Sequence, residues 1–336
     1  MSRYQPPLTL TPAMLALVAD ISEHVGRLSA RHEATLTPQL RRGNRIRTIQ
    51  ASLAIENNTL SLEQVTAVLE GKRVLGLPRE IQEVRNAFAA YEAMPSWRPA
   101  SRADLLTGHG LLLQGLIDDA GHFRRGGVGI YRGERLLHMA PPASRVPQLV
   151  SDLLGWLGRT DLHPLIASCV FHYEFEFIHP FADGNGRMGR LWQTLILSQW
   201  RPVLAWLPVE TVIREQQEAY YAALSAADRQ AEATPFVEFM LRALQQALAD
   251  AIGSGGSVES SVQSSEESSV EKTEETPLLR LLKAHPGLTA KQAAEQLGLS
   301  PRAVEKQLAA LKAGGRLRRI GPNKGGYWQV VESGAV

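Results

Sequence analysis

From Thr11 to Ile252, apolar residues recur every three or four positions. A chain with that period can bury them only by packing helices against one another. Thr11-Pro12 reads as an N-cap followed by a first-turn proline, with Met14, Leu15, Leu17, Val18 and Ile21 behind it at helical spacing. A second helix is expected from about Pro38 to Ile55. A third begins at Ser61, where Gln64 stands three residues on as the partner in a capping box. The same spacing predicts helices over 79–93, 103–117, 147–157, 165–177, 186–200, 210–226 and 235–252. The stretch 127–139 (Gly-Val-Gly-Ile-Tyr-Arg-Gly-Glu-Arg-Leu-Leu-His-Met) alternates instead, and is expected as a short hairpin turning at Arg132-Gly133-Glu134. A lone hairpin is marginal by itself, so it packs on the body or does a job there.

Charge divides the chain further. Residues 253–276 hold six glutamates and one lysine among Ser and Gly, with no periodic apolar face. Such a segment cannot offset its ordering entropy by burial and is expected as an extended linker. Residues 277–336 hold ten Lys/Arg against three Asp/Glu, so the tail is basic. Over the whole chain, a hydrophobic share of 44% with 21% charged residues is that of an ordinary globular protein rather than a disordered one. The single cysteine, Cys169, excludes an internal disulfide and reads as a small buried residue. No apolar run is long enough to cross a membrane, and the start shows no signal core, so a cytoplasmic protein is expected.

Residues 179–190 read His-Pro-Phe-Ala-Asp-Gly-Asn-Gly-Arg-Met-Gly-Arg. Pro180 disfavours helix at His179, which puts that imidazole at the mouth of a loop. The loop runs into a helix starting near Gly186. The unpaired first-turn N–H groups and the positive end of the macrodipole make that start an anion site. Gly184 and Gly186 let the backbone approach phosphate oxygens. His179 suits a base that titrates near neutrality. Asp183 suits Mg²⁺, which takes one or two carboxylates and completes its shell with phosphate oxygens and water. Arg187 and Arg190, three apart, suit charge clamps on a phosphate tail. His172 and Glu176 could share a helical face with His179, but without zinc-motif spacing, so no second metal site is expected there.

The run resembles the Fic signature His-Pro-Phe-x-Asp/Glu-Gly-Asn-Gly-Arg-x-x-Arg at every specified position. The Fic family moves AMP from ATP onto protein hydroxyls, and the resemblance implies the same here, with Mg²⁺. It implies His179 as the base and Asp183 as the metal carboxylate. It further implies Gly184, Asn185 and Gly186 as the phosphate cradle, Arg187 as a clamp and Arg190 on the γ-phosphate. A related subgroup that phosphorylates its target departs from the signature at Gly186; this chain does not. Gly121-His122-Phe123-Arg124 and His138-Met139-Ala140-Pro141-Pro142 resemble the family's lead into and exit from a flap. The resemblance implies that the flap pairs with the target's backbone. Tyr220-Tyr221-Ala222-Ala223-Leu224 resembles a stretch lining the adenine pocket; core aromatics on a helix are the alternative.

Ser52-Leu53-Ala54-Ile55-Glu56-Asn57 resembles the family's inhibitory signature, Ser/Thr-x-x-x-Glu-Gly/Asn. The resemblance implies that Glu56 pairs with Arg190 and keeps it from the γ-phosphate. For some members it also implies that this glutamate positions water to remove AMP. In the tail, an apolar helix over 277–285, a capping box at Thr289 to Gln292 and a helix opened by Ser300-Pro301 precede two strand-like pieces around 321–326. This resembles a winged helix. We expect its third helix, bearing Arg302 and Lys306, in a DNA major groove and Lys324 against phosphates. A module that binds protein is the alternative.

The expected architecture is therefore mainly α: a Fic-type helical bundle with a small β-hairpin flap, plus a C-terminal winged helix-turn-helix. The expected divisions are 1–95 with the inhibitory helix, 96–252 as catalytic core, 253–276 as linker and 277–336 as winged helix. The expected function is adenylyl transfer onto Ser, Thr or Tyr, including the chain itself. The competing reading is a DNA-binding regulator whose Fic domain senses nucleotide. A monomer and a homodimer both remain open.

Overall fold

The computed structural model describes residues 4–35, 38–132, 135–266, 277–297, 304, 308, 311–312, 317–320 and 327–330. The chain forms two compact units, Met1–Val258 and Glu259–Val336.

In the first unit the order is α1 (Pro12–Thr35), α2 (Pro38–Ile55), α3 (Leu62–Leu69), α4 (Pro78–Ala93) and α5 (Arg102–Leu112). The hairpin β1 (Gly129–Arg132) and β2 (Arg135–Met139) follows. Then come α6 (Val146–Leu157), α7 (Pro164–Ile178), α8 (Asn185–Trp200), α9 (Val209–Glu215), α10 (Gln217–Gln230) and α11 (Thr234–Glu266), which begins in this unit and runs past Val258. Helix α7 is apolar on almost every face and therefore sits at the centre, packed along α8. Phe171, Phe175, Met188, Leu191 and Trp192 are fully buried between them and their neighbours. Each such side chain stabilises the fold by roughly 1.5–3 kcal/mol. The α7–α8 connection carries residues 179–184, so the bundle's best-packed pair holds the motif loop.

The expected capping box at Ser61 is present. Its hydroxyl accepts the Gln64 N–H at 3.3 Å, and Gln64 returns a bond to the Ser61 N–H at 2.9 Å. The hairpin forms where alternation placed it, with Gly129 opposite Met139 and a bulge between Ile130 and Tyr131. Gly133 and Glu134, in the expected turn, lie outside the described residues.

Several boundaries differ from expectation. The helix expected to reach 117 ends at Leu112, because the backbone turns left-handed at Gly115, φ +72°. The helix expected over 210–226 is two, broken at Gln216, whose φ and ψ of −108° and 31° leave the helical region. The last helix of the unit does not stop at Ile252; it continues to Glu266, into the expected linker. Its first half is anchored by Phe236, Val237, Met240, Leu241, Leu244 and Leu248, all fully buried or nearly so. Extending a helix already nucleated gains a hydrogen bond per residue fixed. Residues 267–276, the remainder of the expected linker, lie outside the described residues.

The second unit is a winged helix-turn-helix. Helices α12 (Pro277–Ala284) and α13 (Ala290–Leu297) precede an antiparallel hairpin, β3 (Leu317–Ile320) with β4 (Tyr327–Val330). Leu278, Leu282, Ala293, Ala294, Val304, Leu308 and Leu317 close one small core. Thr289 caps α13 through reciprocal bonds with Gln292, at 3.3 and 3.0 Å. Val304, Leu308 and Leu311 lie on the inner face expected for a third helix. Ser300, Pro301, Arg302, Lys306 and Lys324 lie outside the described residues.

Gly108 sets how closely α5 approaches α8. A Cβ there would stand 3.0 Å from Met188 Cε, 3.1 Å from the Trp97 ring and 3.3 Å from the Trp192 ring. Gly108→Leu gains roughly 1 kcal/mol of helix propensity. Overpacking should outweigh that at about 1–3 kcal/mol or more. We expect a lower urea midpoint; an unchanged midpoint would refute the close approach.

Candidate active site

The motif loop is a built structure before any ligand is considered. His179 ends α7 as a left-handed C-cap, φ 48° and ψ 61°, a conformation uncommon for a residue with a side chain. Pro180 follows it, as the restriction on pre-proline helix requires. Asn185 then ties the loop shut. Its Oδ1 accepts the Phe181 N–H and its Nδ2 donates to the Phe181 carbonyl, both at 2.9 Å. Gly184 caps α8 at φ +81°, where a Cβ would meet Leu113 Cδ2 at 2.5 Å. Met188 is the first residue of α8 to return its N–H, to Gly184 O at 2.9 Å. The N–H groups of the turn before it have no intrahelical acceptor and can serve an anion.

Two buried side chains hold the loop from below. His109, on α5, is fully buried and stacks on Phe181 with ring centroids 3.6 Å apart. Its Nδ1 accepts the Gly121 N–H at 2.9 Å, which leaves Nε2 to donate to Asp183 O at 3.0 Å. Burial pushes its pKa down to about 4, so the ring stays neutral and keeps that tautomer. Arg124 spans the loop and the base of the hairpin. Its Nε donates to His179 O at 2.7 Å and its Nη2 to Pro141 O at 2.6 Å. Its Nη1 donates to Gly126 O at 2.8 Å, and its backbone N–H to Pro180 O at 3.0 Å. The hairpin's two stems and the histidine's carbonyl are therefore fixed by one guanidinium.

Arg190 is 2% exposed, and α2 supplies its partners. Its Nε donates to Ser52 Oγ and its Nη2 to Ser52 O, both at 3.0 Å. Nη2 also meets Glu56 Oε1 at 2.8 Å. Burial pulls the guanidinium's pKa down, but the charge and hydrogen bond of Glu56, with Tyr220 and Glu176, together outweigh it and hold the pKa above its ordinary value. Glu56 itself is presented by the end of α2. Asn57 adopts the left-handed conformation, φ 68°, and the Asn58 N–H returns to Leu53 O at 3.1 Å. A Cβ on Gly186 would collide with Glu56 Oε1. The carboxylate thus lies directly over the anion-binding turn.

A cleft of about 170 Å³ opens beside these groups, lined by His179, Gly186, Arg190 and Glu56 and also by Tyr220, Tyr221 and Leu224. Tyr220 is buried, its hydroxyl 3.2 Å from His172 Nε2, and His172 Nδ1 is 2.7 Å from Gln193 Oε1. His172 is thus a neutral buried link that orients Tyr220, with its pKa pushed down by burial to about 3. Glu176 also lines the cleft, and burial pushes its carboxyl up to about 8. It adds little negative charge to the cleft at neutral pH. Among the described residues no cluster of three or more His, Cys, Asp or Glu could hold a metal ion.

Asp183 and Arg187 are neighbours, Oδ1 to Nη2 3.0 Å. Arg187, 5% exposed, also meets Glu83 Oε1 at 3.3 Å. Asp183 Oδ2 meets Arg79 Nη2 at 3.0 Å. The sequence reading missed Arg79, Glu83 and His109 altogether, and took Arg124 only as part of a lead-in. Arg124 carried a signal in its Gly-x-Phe-Arg context. The other three are single polar residues on amphipathic helices and carried none.

The family model for Fic/DOC matches residues 99–197, and that for winged helix-turn-helix DNA-binding matches 278–318. A crystal structure of a Fic family protein from Desulfovibrio desulfuricans G20 is 54% identical, with TM-score 0.74, over 99% of this chain and 100% of that one. "Protein adenylyltransferase fic-1" of Caenorhabditis elegans is 30% identical over 72% of this chain and 47% of its own length. "Protein adenylyltransferase Fic" of Culex quinquefasciatus is 30% identical over 60% of this chain and 41% of its own length. The chain therefore spans less than half of these two relatives. No helix among the described residues is long and apolar enough to cross a membrane.

The two buried histidines give a pH dependence. Their folded pKa values lie below the ordinary value near 6.5. The stability they contribute is complete above about pH 6.5. It is lost as pH falls toward 4 for His109 and toward 3 for His172, because the unfolded chain then binds more protons. Denaturant midpoints should fall across that window. His109→Gln should flatten the fall, and a slope equal to wild type would contradict the buried neutral ring.

Proposed function

Because the chain belongs to the Fic family, we propose that it is a protein adenylyltransferase held off by its own α2. The observation that carries this reading is the Glu56–Arg190 pair, formed directly over Gly186 beside His179.

In the transfer, a target hydroxyl oxygen bonds to the α-phosphorus of ATP and the bond from that phosphorus to the bridging oxygen breaks. Pyrophosphate leaves with the bond's electron pair. The hydroxyl proton goes to His179, the imidazole lining the cleft. The N–H groups of the first turn of α8, at Asn185, Gly186 and Arg187, receive the α- and β-phosphates. Arg187 and Arg190 neutralise the leaving tail. Tyr220 and the apolar far end of the cleft take the base. A divalent cation, when bound, neutralises charge on the phosphates. Asp183 fits one that arrives with nucleotide: a single half-exposed carboxylate at the mouth of an anion site, already attracting cationic side chains. The hairpin 127–139, stapled to the loop by Arg124, offers its strand edge to the target backbone and so brings the hydroxyl toward His179.

Glu56 opposes this by occupying Arg190. The charge-assisted hydrogen bond from the buried Arg190 to the part-exposed Glu56 stabilises the closed arrangement by about 1.5–3 kcal/mol. That holds the competent population near a percent. With Arg190 unavailable, the triphosphate binds out of line for attack. Glu56 is also placed to orient water for removal of AMP from a modified target. The basic winged helix favours DNA as a further partner, bound through phosphate contacts. The reading as a nucleotide-sensing regulator would rest on that domain alone. The protein is proposed to act in the cytoplasm, and a homodimer is compatible with the reading.

Intact mass after incubation with Mg²⁺ and ATP tests the chemistry and the brake together. Glu56→Gly should gain one or more AMP units, wild type few or none, and Glu56→Gly with His179→Ala none. Equal gain by wild type and Glu56→Gly would sink the brake; no gain in any variant would move weight to the regulator. For the tail, DNA affinity should fall steeply between 50 and 200 mM salt, as about five or more phosphate contacts require. A flat salt response would remove DNA as the partner.

A further inference from the structure

Both oxygens of Asp183 are already engaged by cations. Oδ1 takes Arg187 at 3.0 Å and the Gly184 N–H at 2.6 Å, and Oδ2 takes Arg79 at 3.0 Å. The two arginines are not equivalent. Arg187 is 5% exposed and belongs to α8 itself, whereas the Arg79 side chain is 57% exposed and reaches across from the first turn of α4. Glu83, one turn along α4, anchors both. Its Oε1 lies 3.3 Å from Arg187 and 3.6 Å from Arg79. Its Oε2 accepts the Asn58 Nδ2 at 2.9 Å and is fixed by it, two residues beyond Glu56.

We propose that Arg79 is a positioning residue of this site, whose guanidinium holds the cation's place on Asp183 and must leave before a divalent cation binds there. The proposal rests on the reading of Asp183 as the metal carboxylate. A carboxylate facing two guanidiniums carries no surplus negative charge for a third cation. A divalent ion coordinates carboxylate oxygen at about 2.1 Å, inside the guanidinium's hydrogen-bonding distance. One of the three cations must withdraw. Arg187 is buried and held by Glu83, so the exposed Arg79 is the one displaced, and it keeps its attraction to Glu83 when it goes. Arg79 thus raises the cation concentration the site requires without touching the nucleotide-free geometry of His179 or Arg190.

The test is Mn²⁺ binding to the full chain, read from the loss of the free-ion electron paramagnetic resonance signal with protein in excess over a non-hydrolysable ATP analogue, relative to the analogue alone. Exposed ion pairs contribute up to about 1 kcal/mol, so Arg79→Ala should tighten Mn²⁺ by about two- to fivefold. Arg79→Lys, which restores the charge, should return to wild type, and the gain should shrink in high salt. Analogue affinity without metal should be the same in wild type and Arg79→Ala. Asp183→Asn should weaken Mn²⁺ in every background. If Asp183→Asn weakens Mn²⁺ while Arg79→Ala leaves it unchanged or weakens it, the proposal is overturned and Asp183 remains the metal carboxylate. If Asp183→Asn has no effect, or no variant takes up Mn²⁺, the reading of Asp183 falls and the proposal with it.

Discussion

A buried guanidinium needs a counter-charge, and Arg190 sets much of the first unit by that need. It sits on the second turn of α8, 2% exposed, at the centre of the best-packed helix pair. A lone cation there would cost several kcal/mol in desolvation. Ser52 and Glu56 supply the acceptors, which fixes the C-terminal turn of α2 against α8. The turn is completed by the left-handed Asn57 and by Asn58, which reaches α4 through Glu83 and the Glu80 carbonyl. Gln217, at the start of α10, donates to Ile55 O at 3.0 Å and closes the same helix end from the other side. The seating of α2's last turn on α8 therefore answers one charge in the middle of the fold, while Ile46, Ile49 and Leu53 bury the helix's apolar face.

The motif loop has a complementary design. Its polar backbone is satisfied before any ligand arrives: Asn185 serves Phe181, His109 serves Asp183, and Arg124 serves Ile178, His179 and Pro141. What remains unsatisfied is the first turn of α8, which faces the cleft. A site whose supports are neutral or internally paired leaves its field to the phosphates. His109 held neutral by burial and Glu176 held protonated near neutrality both act in that sense.

Local patterning was legible from the sequence. The capping boxes at Ser61 and Thr289, the pre-proline end of α7, the hairpin and the glycines of the loop each depend on residues within a few positions of one another. The pairing of Glu56 with Arg190 spans more than a hundred residues and was legible only because the resemblance named it; the bonds from Arg190 to Ser52 were not foreseen. Contacts without such a guide were not. Arg79 meets Asp183 across 104 residues and His109 meets it across 74. On a helix, a lone Arg, Glu or His looks the same whether it ends in water or against a loop. The helix ends failed for a different reason. The end at Leu112 is set by the left-handed backbone at Gly115 and the end at Glu266 by helix propagation, neither of which apolar spacing encodes.

The location of the Glu56 contact bears on what kind of control it could exert. A side chain seated between His179 and the cleft would have screened the proposed base itself. Pairing with Arg190 leaves His179 and the turn at Gly186 lining an open cleft, so on the proposed reading nucleotide still enters and only its tail is misplaced. The block is then a matter of alignment, and alignment can be restored by a small movement of α2. The cost of that movement is set by the pair and by the bonds at Asn58 and Gln217 that hold the same turn. Because Asn58 shares Glu83 with Arg187, and Glu83 lies beside Arg79, withdrawing the turn also loosens the groups around Asp183. Release of the γ-phosphate clamp and of the metal carboxylate would then be one event rather than two.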